Sequence, residues 1–322
     1  MELYCYILLI VFSSLTILTE SQLLYKWLFL PAVFVFMIIV RDSGYDSDIQ
    51  GYVNQLGSSA IDIYYLREFV FWYGSRLVYF IIQDDLLSFL FLDFIWIFTM
   101  IKVGNRLAGD DKKNLNNGLF LVLMTSFPFV FGYENIYRQF YATVFLLLSY
   151  SSIELMRRKS IQLFVITFFM HNIVVLLLPF FVIKKFLIFD FKSRVKVSII
   201  ISLLFGSLLV VFSKFKSSEE TGLDMGAFYL LIFILSLLAA AVTFRKNIYL
   251  LFKKLPTLFS AVILMTGAFF LSEDMVAERL GMIFISFFMY DLYKFSVEIE
   301  SKIFRSLFRL GVLLIFSLPT LF

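Results

Sequence analysis

Residues 160–183 read SIQLFVITFFMHNIVVLLLPFFVI, a long apolar run that is broken at His171-Asn172. A basic cluster lies on each side of the run, at 157–159 and at 184–196. Because Lys and Arg beside membrane spans concentrate in the cytoplasm, both clusters are expected on that side. The run must then cross the membrane twice, as a hairpin of two short helices. A single crossing would place the second cluster outside.

The rest of the chain is equally apolar. Its 322 residues are 61% hydrophobic, 20% aromatic and only 16% charged, and the mean hydropathy is +0.91. Soluble domains are about half apolar and about a quarter charged, and a soluble fold of this size could not bury so much apolar surface. The composition excludes a disordered chain and predicts a membrane protein with many spans.

Several function classes are excluded by residue types that are scarce or missing. The single cysteine, Cys5, excludes a disulfide framework within the chain, and the single histidine, His171, excludes a two-histidine zinc motif. The sequence has no P-loop, so it is not the ATPase of a transporter. The first apolar run lacks a basic start and a cleavage site, which predicts a retained anchor.

The fold class predicted is an all-α, polytopic membrane protein with one integral membrane domain over 1–322. Apart from the hairpin, the candidate spans, several of them short, are 3–19, 25–40, 86–101, 118–132, 136–153, 197–212, 226–244, 256–272, 279–293 and 310–322. Together with the hairpin they give about twelve crossings, with both termini outside. The amphipathic stretch 64–83 is expected to lie at the outer interface or to re-enter. The polar outer loop 41–63 is the natural place for a site.

Three arginines lie on the predicted outer face, where the orientation rule disfavours them: Arg41, Arg138 and Arg279. An Arg at mid-membrane costs about 2.5–3.5 kcal/mol by insertion scales, and less at the interface. Three such positions on one face indicate a bound anion, and guanidinium groups suit phosphate because they bind it bidentately. The alternative is snorkelling, or pairing with the nearby carboxylates of Asp42, Glu134 and Glu278.

Two carboxylates and an imidazole share this face. Asp46, which follows Gly44 in the outer loop, is either a general base that orients a sugar hydroxyl or an ordinary turn residue. Glu68 is either a base or a member of an interfacial ion pair, and His171 is either a packed residue or a hydrogen-bond donor to phosphate or sugar. Asp46 and Asp48 also spell DxD, a weak indication of a divalent cation. Tyrosines 45, 52, 64, 65, 133 and 137 could stack on sugars or form the interfacial aromatic belt.

The order of these motifs resembles the EpsG-like family, which belongs with the Wzy-type polymerases of O-antigen, capsule and exopolysaccharide. The motifs that carry the resemblance are Arg41-x-x-Gly44-x-Asp46 with Tyr52, Glu68 opening an apolar segment, Arg138-Gln139 opening a span, Phe169-Met170-His171 before an apolar stretch, and Glu278-Arg279 opening a late span. Each motif is short, and their order is the main support.

The resemblance implies a GT-C-like fold, with many helices around an outward-facing cavity, in the bacterial inner membrane. It also implies a membrane glycosyltransferase. This enzyme would move a glycan from undecaprenyl diphosphate onto the non-reducing end of a repeat unit on a second undecaprenyl diphosphate. The implied partners are these two lipid-linked glycans, membrane lipid and a chain-length regulator protein, with no nucleic acid.

The candidate residues suit that reaction, because charge builds on the leaving diphosphate and cations there stabilise the transition state. Arg138 and Arg279 are expected in this role, with His171 as a donor. Asp46 is the first candidate and Glu68 the second to orient or deprotonate the acceptor hydroxyl. The expected substrate-binding residues are Arg41, Gly44, Tyr52, Tyr137, Gln139 and Glu278. Fixed cations could replace a metal ion, so neither a metal nor another cofactor is expected.

Two other function classes remain open. A ligase that moves a finished glycan onto lipid A core would share the donor chemistry, but such enzymes usually carry a large late outer loop with a His. Here the late outer segments 213–225 and 273–278 are short. A flippase or transporter of lipid-linked oligosaccharide would place charge along a central path, for which Asp93 inside a span is the best indication.

Overall fold

The computed structural model describes residues 2–43, 47–58, 66, 68–108, 118–134, 136–185, 189–213, 225–271 and 274–321. Within these residues every regular element is a helix, and none is a strand. The prediction of an all-α chain is therefore confirmed. The outer-loop candidates Gly44 and Asp46, together with Arg67, lie outside the described residues.

Contacts divide the chain into two compact units, and the single membrane domain expected from the sequence stays a prediction. The first unit comprises Met1–Ser152, Arg158–Val174 and Ser296–Phe322, and the second comprises Ile153–Arg157 and Val175–Phe295. The candidates Arg41, Glu68, Arg138 and His171 all belong to the first unit. Arg279 belongs to the second unit.

The first unit is built around the long helix Asp85–Ala108. Its helices are α1 (Glu2–Thr19), α2 (Gln22–Asp42), α3 (Ser47–Leu56), α4 (Phe69–Ile82), α5 (Asp85–Ala108), α6 (Gly118–Met124), α7 (Phe127–Glu134), α8 (Tyr137–Ser152) and α9 (Arg157–Phe168). Helices α2, α4 and α8 all contact α5. The interior of this unit is rich in aromatic rings, among which Trp96 and Tyr137 are fully buried.

The remaining helices complete both units. They are α10 (Leu178–Ile183), α11 (Phe191–Ser213), α12 (Met225–Thr243), α13 (Ile248–Lys254), α14 (Leu258–Leu271), α15 (Asp274–Ser296) and α16 (Lys302–Ser317). In the second unit α11 packs against α10 and α14, and α12 packs on α14. Gly206 and Gly267 let α11 and α14 approach closely, since a Cβ on Gly267 would lie 3.2 Å from the Gly206 Cα atom. In the first unit α16 packs against α1.

Five of the described helices are long and apolar enough to cross a membrane: α1, α2, α5, α12 and α16. A sixth is added if α13 and α14 count as one span, although they meet at an angle of 83°. Pro256 lies in the break between them, where its missing N–H interrupts the helical hydrogen bonds. By their length and composition, the described helices therefore suggest a multi-pass membrane protein. The twelve crossings and the GT-C architecture stay predictions.

The span expected over 118–132 is not one continuous helix, because this stretch forms two short helices, α6 and α7, and its crossing stays a prediction. The break falls at Thr125-Ser126. The Thr125 hydroxyl donates to the Leu121 carbonyl at 2.9 Å, and the Ser126 hydroxyl donates to the Leu123 carbonyl at 2.8 Å. These side chains satisfy the helix end, and Pro128 then occupies the first turn of α7, where no N–H is needed.

The last span was expected at 310–322, but α16 begins at Lys302. Lys302, Arg305 and Arg309, which the sequence placed in a cytoplasmic loop, are therefore helical. Their cationic groups lie 3.5, 3.3 and 3.9 Å from the Glu20 carboxylate. Because Glu20 compensates these charges, the helix can start before the apolar run does.

The break predicted at His171-Asn172 is confirmed. Helix α9 ends at Phe168, a turn covers 169–170, and a 3-10 helix over Asn172–Leu177 leads into α10. The amide groups of Met170 and His171 both donate to the Thr167 carbonyl, at 3.0 and 3.1 Å, which closes the end of α9. The double crossing inferred from this break stays a prediction.

Candidate active site

Three of the predicted catalytic residues meet in the first unit. Glu68 directly precedes α4, Arg138 lies in the first turn of α8, and His171 lies between α9 and the 3-10 helix. The Arg138 Nη1 atom is 2.6 Å from Glu68 Oε2, and the His171 Nε2 atom is 3.6 Å from Glu68 Oε1. Each carboxylate oxygen of Glu68 therefore faces a different nitrogen group.

The backbone holds Glu68 and His171 in this arrangement. The amide of Val70 donates to the Phe169 carbonyl at 3.2 Å, which joins the start of α4 to the turn before His171. The rings of Phe69 and Phe169 pack beside this bond, with 5.1 Å between their centroids. Two segments about a hundred positions apart in the sequence are thus fixed to each other by both backbone and side-chain contacts.

A local hydrogen bond sets the tautomer of His171. The Ile173 amide donates to His171 Nδ1 at 3.2 Å, so Nδ1 carries a lone pair. In the neutral imidazole the proton then lies on Nε2, the nitrogen nearest to Glu68. His171 is therefore arranged to donate a hydrogen bond on the side where Glu68 and Arg138 lie.

Aromatic rings line the guanidinium side of the site. Arg138 lies over the rings of Trp72 and Tyr52, with its Cζ atom 5.3 and 5.9 Å from their centroids. The two rings contact each other edge-on. The side chains of Glu68, Arg138 and His171 are 9%, 16% and 12% exposed. They are therefore largely shielded from bulk solvent, which strengthens their electrostatic interactions.

Arg41 makes a different ion pair from the one expected. Its Nε atom lies 3.0 Å from Asp93 Oδ2, and its Nη2 atom lies 3.1 Å from Asp93 Oδ1. The side chains are 1% and 0% exposed, respectively. The rings of Tyr133 and Tyr137 lie 3.9 and 5.0 Å from the Arg41 Cζ atom. Arg41 is thus enclosed, and its partner is Asp93 on α5 rather than the adjacent Asp42.

Asp93 accepts hydrogen bonds from three further side chains. The hydroxyl groups of Tyr133 and Tyr137 donate to it at 2.9 and 2.8 Å, and the Trp96 indole donates at 3.2 Å. This Asp93 network joins α2, α5, α7 and α8. The sequence predicted Tyr137 as a substrate-binding residue and Arg41 as a phosphate ligand. Both are buried in this network, which stabilises the packing of the helices, and their contact with substrate stays a prediction.

The Asp93 network also determines where Arg138 lies, because Tyr137 is its immediate neighbour. By holding the first residue of α8, the network fixes the turn that carries Arg138. Asp93 was not recognised as part of the site from the sequence. The available signal was an acidic residue inside an apolar span, which requires a cation from another helix.

The other candidates are distributed as follows. Gln139 is buried beside Arg138, and within the part of the chain that the structure describes its Oε1 atom has no hydrogen-bond partner. Glu278 and Arg279 lie on α15 of the second unit, where Glu278 is buried and Arg279 is partly exposed. The joint role of Arg279 and Arg138 at the leaving diphosphate stays a prediction.

No group of three His, Cys, Asp or Glu side chains that could hold a metal ion occurs among the described residues. The expected metal independence is not tested by this observation. Comparisons of the chain with protein-family models, with curated proteins and with solved structures gave no match. The resemblance to the EpsG-like family therefore stays a prediction.

Proposed function

We propose that the chain is a polysaccharide polymerase of the bacterial inner membrane, with its active site facing outward. In this proposal the enzyme transfers a glycan from undecaprenyl diphosphate onto the non-reducing end of a second lipid-linked repeat unit. The observation that supports it best is the meeting of Glu68, Arg138 and His171, which come from three separate segments of the first unit. A carboxylate, a guanidinium and an imidazole donor are the groups that this transfer requires.

The reaction joins a hydroxyl of the acceptor sugar to the anomeric carbon of the donor. The bond between that carbon and the diphosphate oxygen breaks, and undecaprenyl diphosphate leaves with the bonding electrons. Arg138 stabilises the charge that develops on the leaving oxygen, and His171 donates a hydrogen bond beside it. Glu68 orients the acceptor hydroxyl and takes up its proton.

The Arg138–Glu68 ion pair gives this mechanism a way to respond to the donor. A guanidinium carries five N–H groups and binds phosphate bidentately. When the donor diphosphate binds Arg138, it competes with Glu68 for the same cation. The Glu68 carboxylate then becomes available to the acceptor hydroxyl, so that the base acts only when the leaving group is in place.

A transport function has weaker support. Asp93 was the best indication of a charged path through the membrane, but its carboxylate is compensated by Arg41 and by three neutral donors. A carboxylate that is bound by one cation and three hydrogen-bond donors stabilises helix packing and is poorly suited to transport.

The experiment is complementation of a strain that lacks the gene and accumulates single repeat units. Arg138→Ala and Glu68→Gln should give no long polymer and leave single units on the lipid carrier, whereas Arg138→Lys should restore it only in part because Lys cannot bind bidentately. Arg158→Ala is the matched control, since Arg158 is exposed on α9. Long polymer of normal length from Arg138→Ala would reject the proposal. A deletion strain without any exported repeat units would indicate a flippase.

A further inference from the structure

The second unit contains a cavity of about 450 Å³ whose polar lining is mostly basic. Lys184, Lys185, Arg194 and Lys253 line it, and Glu154 is its one acidic lining residue among those that the structure describes. The volume lies within the range of about 300–1,000 Å³ that is typical of small-molecule sites. We propose that this cavity binds the phosphate group of an anionic ligand, at a site that is separate from the Glu68–Arg138–His171 cluster.

The charge of the lining supports an anion. The Glu154 carboxylate is already bound by Lys294, whose Nζ atom lies 2.9 and 3.1 Å from its two oxygens. Of the lysines that line the cavity, Lys185 and Lys253 are exposed, whereas Lys184 is buried. Four cations against one carboxylate leave the lining positive, and concave walls of low dielectric concentrate that potential.

Arg194 lines the cavity with a guanidinium whose donors the described chain satisfies only in part. Its Nη1 group donates to the Ile183 carbonyl at 2.9 Å, which fixes the guanidinium against the end of α10. Its Nε atom is buried and has no hydrogen-bond partner within the described chain. Because buried N–H groups nearly always have a partner, a ligand oxygen is the expected acceptor.

Lys184 lies in the wall of the cavity, near both acidic and basic side chains. Its Nζ atom lies 4.3 Å from the centroid of the Tyr290 ring. Burial lowers the pKa of Lys184 to about 8, with Lys294 acting in the same direction and with Asp291 and Glu154 acting against it. The amine is therefore close to its titration point at neutral pH, and a bound anion would favour its charged form.

The apolar part of the lining points to an amphiphilic ligand. Ile183, Phe191, Phe252 and Pro256 form this part of the wall. A basic pocket beside apolar helices is the pattern that binds anionic phospholipid headgroups, and the same cations could bind a free phosphate compound. The basic clusters of the sequence predict that this side faces the cytoplasm, so the ligand is drawn from the cytoplasmic leaflet or from the cytosol.

The test is binding to the purified, full-length protein, measured by native mass spectrometry. The probes are phosphatidylglycerol, phosphatidylcholine as the neutral control, and inorganic pyrophosphate. The Lys185→Gln/Lys253→Gln variant removes two exposed cations of the cavity, and we expect it to weaken phosphatidylglycerol binding about thirtyfold. The Arg245→Gln/Lys246→Gln variant is the matched control, because it removes two exposed charges that do not line the cavity.

If only the cavity variant weakens phosphatidylglycerol binding, the result would support the proposal and identify the anionic ligand as a lipid. If only the cavity variant weakens pyrophosphate binding, the result would support the proposal and identify the ligand as a soluble phosphate compound. Equal loss in both variants, or no preference for either anion over phosphatidylcholine, would overturn it. Crosslinking of the wild-type protein with photoreactive phosphatidylglycerol provides a second test that needs no variant. Labelling should fall on peptides covering 183–194 or 252–256, and labelling confined to other regions would also overturn the proposal.

Discussion

The Arg41–Asp93 ion pair gives the most quantitative prediction about stability. Asp93→Asn keeps the shape of the side chain but removes its charge. Of the two hydrogen bonds of 3.0 and 3.1 Å, the single amide oxygen of Asn can keep only one, beside the bond to the Tyr133 carbonyl at 3.5 Å. Because the guanidinium stays buried without its counter-charge, we expect the free energy of unfolding to fall by about 3–5 kcal/mol.

The reverse change should cost less, because the two partners are not equally supported. In Arg41→Met, Asp93 keeps hydrogen bonds from Tyr133, Tyr137 and Trp96. Since each hydrogen bond to a charged group contributes about 1.5–3 kcal/mol, Arg41→Met should cost about 1–2 kcal/mol less than Asp93→Asn. The double variant removes both charges and should be more stable than Asp93→Asn alone, with a coupling energy of about 3 kcal/mol.

The assay is reversible unfolding in mixed micelles, followed by far-ultraviolet circular dichroism. Asp42→Asn is the control, since Asp42 is adjacent to Arg41 but exposed, and it should change stability by less than about 0.5 kcal/mol. This reasoning would be refuted if the effects of the two single variants simply add in the double variant. It would also be refuted if Arg41→Met costs more stability than Asp93→Asn, or if Asp42→Asn has a large cost.

Three further predictions follow from the structure. Gly281→Ala should destabilise the second unit by about 1–3 kcal/mol in the same unfolding assay, because the new Cβ would overlap the Tyr229 ring; unchanged stability would contradict this packing. Phosphatidylglycerol binding should weaken as the pH rises from about 7 to about 9, because Lys184 loses its charge, and Lys184→Met should flatten that profile; a profile that Lys184→Met leaves unaltered would exclude Lys184. Polymerisation by purified protein should persist in a metal chelator, and its loss would refute metal independence.

Much of the fold could be predicted from the sequence, because lipid requires long apolar helices and the charges mark their ends. One error occurred where charge and helix coincide. Lys302, Arg305 and Arg309 look like a loop when hydropathy alone is considered, but Glu20 compensates them from a distant part of the chain. Such a long-range partner leaves no trace in a local window of sequence.

The candidate site was predicted residue by residue, but its arrangement was not. Glu68, Arg138 and His171 were each identified as candidates, whereas their contact depends on the Val70–Phe169 hydrogen bond, which no sequence pattern specifies. For Arg41 the sequence suggested the wrong ion-pair partner, because Asp42 is its neighbour in the chain. Its actual partner is 52 positions away on another helix, because only packing decides which buried acid and base meet.

The most direct test of the proposed function is the release of undecaprenyl diphosphate by protein reconstituted in liposomes with lipid-linked repeat units. Wild-type protein should release it in step with the joining of repeat units. Arg138→Ala and Glu68→Gln should each slow both events by about a hundredfold or more, and Arg158→Ala should leave them unchanged. Wild-type protein that joins no units, or Arg138→Ala protein that joins them at the normal rate, would contradict the account.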